Sequence, residues 1–178
     1  QVADQRIPVG ESRTLQFAAP RSGAYVILLE QGYGQTHITT KVNPLVVVSS
    51  GLYGEKKRSE QTAHVRLADF YRADGDIFFY IPPGSAETTL LVEVHSGEGA
   101  RIALFDPAGI ETVSKNLVGY HLFRHNVSPT ENDAEGVWRL HVDNPEGAVL
   151  DDVFVGLEGA PPLFGFSPDS LLTAQQLK

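Results

Sequence analysis

The clearest structural signal in the chain lies at residues 76–84, where the sequence is Asp-Ile-Phe-Phe-Tyr-Ile-Pro-Pro-Gly. Ile77, Phe79 and Ile81 occupy alternate positions, so a β-strand would place them on one face and the intervening aromatic residues on the other. The Pro-Pro-Gly that follows joins fixed φ angles to a residue that tolerates positive φ, which indicates a turn. Residues 76–84 therefore predict a strand that ends in a tight turn.

The same pattern recurs on both sides of this stretch. Short runs rich in β-branched and aromatic residues are separated by turn sequences, for example at residues 96–99, 106–109 and 144–147. The other predicted strands lie at residues 13–18, 24–31, 44–50, 63–70, 88–95, 101–105, 120–125, 137–143 and 153–158. With 17 glycines and 11 prolines in 178 residues, long helices are disfavoured. The spacing predicts an all-β fold, an antiparallel β-sandwich of jelly-roll type.

The length of the chain fits a single domain, and we assign residues 1–166 to the sandwich. Ser167, Pro168 and Asp169 supply an N-cap, a proline at the first helical position and an acid in the first turn. They predict a short C-terminal helix at residues 167–178, and a linker into a neighbouring domain is the alternative. A chain that starts at Gln1 and contains no Met is expected to be a mature chain after signal cleavage, or a piece of a longer protein.

Composition excludes several classes of function. The 22 acidic residues outnumber the 14 basic ones, and a net charge of −8 argues against binding to nucleic acid or anionic lipid. The longest apolar runs are far shorter than the roughly 20 residues that span a bilayer, so no membrane insertion is expected. The absence of cysteine excludes disulfides, thiolate catalysis and cysteine-ligated metals. No nucleophile elbow, phosphate-binding loop, dinucleotide fingerprint or His-Glu-x-x-His motif occurs, so we expect a protein that is not an enzyme.

Three motifs in the second half of the chain resemble a known kind of module. They are the strand and turn at 76–84, Arg-Ile-Ala-Leu-Phe-Asp-Pro-Ala-Gly at 101–109 and Gly-Val-Trp-Arg-Leu-His-Val at 136–142. Together they resemble bacterial pre-peptidase C-terminal modules and related jelly-roll accessory domains, which are similar to carbohydrate-binding modules of secreted enzymes. The resemblance implies a secreted, non-catalytic β-sandwich carried by a larger extracellular enzyme, such as a polysaccharide-degrading enzyme or a protease.

Aromatic residues on loops are the candidates for sugar binding, because sugar rings present apolar C–H faces that stack on exposed aromatic rings. Tyr33 lies between two glycines, and Tyr53 lies between Gly51 and Gly54, on backbone that is poorly placed to fill a core. The alternative for both is a loop anchor that packs locally. The candidate ligand-binding residues are Tyr33 and Tyr53, then Tyr71 and Arg72, with polar support from His37, Lys56 and Arg58.

The only tryptophan, Trp138, is assigned to the core. It alternates with Leu140 and Val142, whereas Arg139 and His141 take the opposite face of the same predicted strand. By the same reasoning, the aromatic residues Phe79, Phe105 and Phe154 are also assigned to the core.

Acidic residues are concentrated between positions 129 and 160, where eight carboxylates accompany one basic side chain, Arg139. Oxygen ligands gathered in loops suit Ca²⁺, and Asp143, Asp151 and Asp152 are the best candidate ligands for a structural calcium ion. The alternative is a solvated acidic edge, and no cofactor is otherwise required. His121 and His125 are interpreted as surface histidines, because residues four apart on a strand lie about 13 Å apart and cannot share an ion.

These observations favour a non-catalytic accessory module that binds polysaccharide or oligosaccharide for the catalytic domain of a secreted bacterial enzyme. The alternative is a protein-interaction or spacer module that packs on such a domain. That alternative predicts an exposed apolar patch, for which Leu163, Phe164 and Phe166 are the candidates. A free-standing lyase or hydrolase is disfavoured, because the sequence contains no recognisable catalytic constellation.

Overall fold

The computed structural model of the protein describes residues 8, 10, 11, 14, 67–71, 74–82, 85, 87–127 and 136–171. Regular structure in these residues consists of β-strands and one 3₁₀ turn at Pro168–Ser170. The strands are β1 (Leu67–Tyr71), β2 (Gly75–Ile81), β3 (Thr89–Val94), β4 (Gly99–Phe105), β5 (Glu111–Val118), β6 (His121–Asn126), β7 (Gly136–Asp143), β8 (Asp152–Glu158) and β9 (Phe164–Gly165).

Within the described residues, these strands form two antiparallel sheets. One has the order β1-β8-β3-β6, and the other has the order β5-β4-β7-β2-β9. The chain passes back and forth between the sheets, so strands that are close in sequence are rarely neighbours in the same sheet. An order of 1-8-3-6 facing 2-7-4-5 is that of a jelly roll, in which two Greek keys wrap around one core. The predicted fold class is therefore confirmed.

The main core lies between the two sheets. Strands β2, β4 and β7 alternate buried and half-exposed side chains, as expected when one face of a sheet packs on the core and the other faces solvent. Phe79 and Trp138 stack on neighbouring strands with their ring centroids 6.4 Å apart, and Phe164 meets Phe79 edge-on. Phe79 is fully buried and Trp138 is only 6% exposed, which confirms that both belong to the core.

The two central strands of the four-stranded sheet, β3 and β8, are buried on both faces. Residues 90–94 of β3 and 153–157 of β8 form unbroken buried runs, a pattern typical of strands that are covered on both sides. On the face turned away from the main core, Leu67, Leu91 and Phe154 form a second, smaller cluster. Phe154 is therefore buried as predicted, but it lies outside the core between the sheets.

Two other aromatic assignments are wrong. Phe105 shares the face of Arg101 rather than that of the buried Leu104, and its half-buried ring lies beneath the guanidinium of Arg139. Phe164, which was a candidate with Leu163 and Phe166 for the exposed patch that the alternative function predicts, is fully buried in the core. Leu163 is half-buried, and Phe166 is the exposed member of the three.

The predicted bounds of β2, β3, β4, β6, β7 and β8 agree with the structure to within two residues. Strands β5 and β9 were not predicted. The predicted strands at 24–31 and 44–50 lie outside the described residues, as does that at 13–18 apart from Thr14. Residues 172–178 also lie outside them, so the C-terminal helix stays a prediction.

Candidate functional site

Polar and aromatic side chains form rows on the outer face of the five-stranded sheet, which we define as the side of β5, β4, β7 and β2 turned away from the core. The strand register places Ser114, Ala103, His141 and Asp76 side by side on these four strands, in that order. The row on one side of them holds Asn116, Arg101 and Asp143, and the row on the other side holds Glu111, Phe105, Arg139 and Phe78.

A depression of about 270 Å³ lies in the outer face. Its position follows from the small side chains of Ala103 and Ser114, which lie opposite each other on β4 and β5 between rows of larger residues. The residues that line the depression are Arg101, Ile102, Ala103, Phe105, Glu111, Ser114 and His141. A guanidinium, an imidazole, a carboxylate, a hydroxyl and an aromatic ring thus border one concave surface.

Asp76 connects two side chains of the neighbouring strand β7, an imidazole and a guanidinium. Its Oδ1 atom lies 2.8 Å from Nδ1 of His141 and accepts a 3.0 Å hydrogen bond from Nη1 of Arg139. Partial burial raises the pKa of Asp76, but the hydrogen bonds and charges of His141 and Arg139 outweigh it and hold the pKa below its usual value. In neutral His141, Nδ1–H donates to this carboxylate, which leaves Nε2 as a hydrogen-bond acceptor.

The two arginines of the outer face are also held in place. Arg101 forms an ion pair with Asp143, whose Oδ1 atom accepts a 2.7 Å hydrogen bond from the backbone N–H of Asn144. The hydrogen bonds from Arg101 and Asn144 lower the pKa of Asp143. The guanidinium carbon of Arg139 lies 3.7 Å from the centroid of the Phe105 ring, well within the range of a cation–π contact. Each arginine therefore has a carboxylate partner and a defined orientation.

A second polar cluster lies at one end of the sandwich, which we call the loop end, where the β3–β4, β5–β6 and β7–β8 connections meet. Glu93, fully buried on β3, lies 3.5 Å from Nε2 of His95 and accepts a 3.3 Å hydrogen bond from the Tyr120 hydroxyl. The His95 ring stacks on both Tyr120 and Phe154. The cluster orients Tyr120, whose ring stays more than half exposed.

Most of the predicted ligand-binding residues lie outside the described part of the chain. These residues are Tyr33, His37, Tyr53, Lys56, Arg58 and Arg72. Tyr71 is the last residue of β1, and its backbone lies opposite Asp152 at the start of β8. Their proposed roles in binding therefore stay predictions.

The structure separates the three predicted calcium ligands by sheet. Asp143 ends β7 in the five-stranded sheet, whereas Asp152 begins β8 in the four-stranded sheet and Asp151 directly precedes it. Among the residues that the structure describes, no group of three or more His, Cys, Asp or Glu side chains is arranged to hold a metal ion. The calcium site stays a prediction. His121 and His125 lie on strand β6, as expected, and His125 is half-buried.

Sequence reasoning placed Arg139 and His141 on the face opposite Trp138, but it did not identify them as site residues. Their partner Asp76 is more than 60 residues away in sequence, and only the register of β2 against β7 brings them together. The available signal was the charged residue Asp76 at the edge of an otherwise apolar strand.

Comparison with known protein families finds no family model that matches the chain. A search of curated proteins finds no match to the sequence either. In the described residues, no helix has the length and apolar character that crossing a membrane requires.

Proposed function

We propose that this protein is a non-catalytic carbohydrate-binding module and that the outer face of the five-stranded sheet binds the glycan. The observation that carries the proposal is the depression over Ala103 and Ser114. Both hydrogen-bond donors and hydrogen-bond acceptors border it, beside an aromatic ring. Sugar hydroxyls both donate and accept hydrogen bonds, and sugar rings pack their apolar C–H faces on aromatic side chains. A surface that offers donors, acceptors and rings together suits such a ligand.

The charges of this face favour a neutral ligand over an anionic one. Arg101 and Arg139 are each engaged with a carboxylate, and Glu111 adds a further negative charge at the border of the depression. A phosphate or sulfate group gains most from arginines that have no carboxylate partner. The net charge of −8 for the whole chain also opposes the approach of a polyanion.

The ionisation state of Asp76 fits a residue that orients its neighbours and does not fit a general acid. A general acid needs a raised pKa, whereas that of Asp76 is lowered by His141 and Arg139. The carboxylate is therefore held ionised as a group that orients its two neighbours. The motifs at 76–84, 101–109 and 136–142 support placing the module in a secreted bacterial enzyme that degrades polysaccharide, where Tyr33 and Tyr53 would add stacking rings.

Retention on insoluble polysaccharides, followed by affinity electrophoresis, tests the proposal. We expect Arg101→Ala to weaken retention at least about fivefold, because it removes a donor from the depression and releases Asp143. Arg124→Ala is the matched control, because Arg124 forms a similar exposed ion pair with Glu158 on the other sheet. Equal losses for both variants would contradict the outer-face site. In the same assay, Tyr33→Ala and Tyr53→Ala test the loop residues.

The alternative function is a spacer that packs on a neighbouring protein domain, and exposed apolar residues at the loop end favour it. Val118, Tyr120 and Val149 are 44%, 56% and 63% exposed. They lie close together because the backbone of Glu98 accepts a hydrogen bond from Gly119 and forms a bridge with Val149. Failure of every polysaccharide to retain the protein, with Val149→Asp weakening its association with an adjoining domain, would support this alternative.

A further inference from the structure

At the loop end, the ring of Tyr120 is exposed but held in a defined orientation. Its hydroxyl donates a 3.3 Å hydrogen bond to Oε1 of the fully buried Glu93, and Nε2 of His95 lies 3.5 Å from the same oxygen. The His95 ring stacks on that of Tyr120, with the centroids 6.1 Å apart and the planes 13° apart. More than half of Tyr120 nevertheless stays exposed. Because an ordered aromatic ring loses little conformational entropy on binding, it is well suited to anchor a partner.

A second exposed apolar residue, Val149, lies next to the turn that connects β3 and β4. Val149 is 63% exposed and forms a parallel bridge with Glu98, the last residue of that turn. The backbone N–H of Glu98 donates to the carbonyl oxygen of His95, the residue on which Tyr120 stacks. The turn therefore connects the two exposed side chains. We define Tyr120, Val149 and residues 95–98 as the loop-end patch.

The loop-end patch lies in acidic surroundings. The three connections that meet there contain three acids and no Lys or Arg over residues 95–98, 119–120 and 144–151. One of these acids is Glu98, whose Oε2 atom is buried and has no hydrogen-bond partner among the residues that the structure describes. A nearby positive charge stabilises a carboxylate that is shielded from water more than it stabilises a fully hydrated one. Charge complementarity therefore favours a basic partner.

Arginine is the basic side chain that suits this combination of groups best. Its planar guanidinium stacks on aromatic rings and donates hydrogen bonds to carboxylates at the same time. We propose that the loop-end patch docks another protein through a segment that carries an arginine beside apolar side chains. Tyr120 is the ring on which the arginine stacks, Glu98 is the carboxylate that it faces, and the apolar side chains cover Val149. This inference goes beyond glycan binding and does not depend on it.

A second copy of this chain fits the patch less well than a basic protein does. If two loop ends met, their acidic residues would face each other across the interface, and like charges there oppose association. The net charge of −8 on each copy adds to the repulsion. We therefore expect the partner to be a different protein or domain with a basic contact surface.

Nuclear magnetic resonance titration of the full chain with short capped peptides tests the proposal. One peptide carries an arginine flanked by leucines, and in its two matched peptides the arginine is replaced by glutamine or the leucines by serine. We expect the first peptide to bind at least about fivefold more tightly than either of the others. Its chemical-shift changes should be concentrated at Tyr120, Glu98 and Val149. Absence of binding, equal binding of the three peptides, or shift changes confined to other surfaces would overturn the proposal.

Substitutions of single residues locate the contact. Val149→Ser and Tyr120→Ala should each weaken binding of the arginine peptide at least about threefold. Ile110→Ser is the matched control, because Ile110 is 64% exposed and lies beyond the opposite end of β4. Glu98→Gln should bring the affinities for the arginine and glutamine peptides to within about twofold of each other. Melting midpoints close to that of the unmodified protein establish that each variant is folded.

The variants also decide against the proposal where it is wrong. Equal affinities of Val149→Ser and Ile110→Ser, or a full preference for arginine in Glu98→Gln, would overturn it, and these two results suffice if Tyr120→Ala does not fold. If ultracentrifugation shows self-association that Val149→Ser abolishes, the patch is an interface between copies and the proposal is overturned. Retention of Val149→Ser on polysaccharide is expected to match that of the unmodified protein, so failure of this inference leaves the proposed function standing.

Discussion

At the scale of single residues, Asp76 controls two features of the outer face at once. The same oxygen, Oδ1, meets Nδ1 of His141 and Nη1 of Arg139. Through the first contact it fixes which imidazole nitrogen can accept from a ligand. Through the second it holds the guanidinium over Phe105. A change at this one carboxylate should therefore alter binding far more than it alters stability.

We predict that Asp76→Asn weakens glycan binding by about tenfold, because His141 and Arg139 lose the charged partner that orients them. The free energy of unfolding should change by no more than about 1 kcal/mol, since the pairs are well exposed to solvent. Calorimetric titration and urea denaturation measure the two effects. Glu158→Gln, which weakens the Arg124 pair on the other sheet, serves as the control.

The lowered pKa of Asp76 also fixes the sign of a pH effect on stability. Because the folded-state pKa lies below the usual value of 3.8 for an aspartate, the unfolded chain binds a proton here more readily than the folded protein. The contribution of Asp76 is therefore complete above about pH 4 and is lost as the pH falls through the folded-state value. Asp76→Asn should lose stability less steeply in that acid range. An unchanged acid slope would contradict this assignment.

A second residue-scale prediction concerns His125, which is half-buried on β6 and stacks on Phe123 with ring centroids 6.0 Å apart. Burial lowers its pKa from the usual value of 6.5, so the unfolded chain takes up a proton first as the pH falls. Stability from the neutral ring is complete above pH 6.5 and is lost as the pH falls through the folded-state pKa.

We therefore expect His125→Asn to flatten the dependence of unfolding free energy on pH just below 6.5, as measured by urea denaturation. His121→Asn is the matched control, because His121 lies on the same strand and is exposed. If both variants keep the slope of the unmodified protein, burial of His125 does not govern its titration.

At the scale of elements, the turn after β8 depends on a glycine that no other residue can replace without strain. Gly159 has φ +83°, and a Cβ atom built on it would lie 2.2 Å from the carbonyl oxygen of Glu87. Gly147, in the β7–β8 connection, has the same φ, but nothing lies within 4 Å of its Cβ position. A side chain at Gly147 would therefore meet backbone strain alone, whereas a side chain at Gly159 would meet the same strain and a steric clash with Glu87.

We predict that Gly147→Ala costs about 1–2 kcal/mol of unfolding free energy, the usual penalty for a side chain at positive φ. Gly159→Ala should cost clearly more, about 3 kcal/mol or above, because the backbone around Glu87 must also move. Chemical denaturation of both variants measures the difference. Equal losses of unfolding free energy would mean that the backbone around Glu87 moves away from the new Cβ atom without a measurable loss of stability.

The strands differ in how well the sequence predicts them. Strand β7 was predictable because Trp138 and Leu140 alternate with Arg139 and His141, and this alternation is set by the core. Strand β5 was not, because it lies at the edge of the sheet among the described residues, most of its side chains are exposed, and Lys115 interrupts the apolar alternation of Val113 and Leu117. Phe105 was wrongly assigned because residue type was given more weight than alternation, although it has the same parity as Arg101.

The candidate site was less predictable than the fold. The rows on the outer face depend on the register between strands that are distant in sequence, such as β2 and β7. Apolar periodicity determines which face a residue takes, but not which residue lies beside it on the next strand. The contact of Asp76 with His141 is therefore a property of the jelly-roll topology, and local pattern alone does not reveal it.

At the scale of the whole molecule, a calcium ion bound at the predicted ligands would stabilise the connection between the two sheets. Asp143 closes a strand of one sheet and Asp151 precedes a strand of the other, with residues 144–150 between them. If the predicted site binds calcium, adding calcium chloride to chelated protein should raise the melting midpoint by mass action. Asp151→Asn should remove the rise, and Asp169→Asn, an exposed acid elsewhere, should keep it. An unchanged midpoint on adding EDTA would eliminate the site.

The net charge of the molecule supplies a test of the class of ligand. With a net charge of −8 and both arginines of the outer face engaged by carboxylates, binding of a neutral glycan releases few counterions. We therefore predict that raising sodium chloride from about 0.05 to 0.5 M changes the affinity less than about twofold, because screening acts mainly on exposed unpaired charges. Calorimetric titration of one oligosaccharide, prepared from a polysaccharide that retains the protein, at several salt concentrations measures this change in affinity. A loss of tenfold or more over that range would show that the ligand is held by its charge, and a neutral polysaccharide would then be the wrong class of ligand for this face.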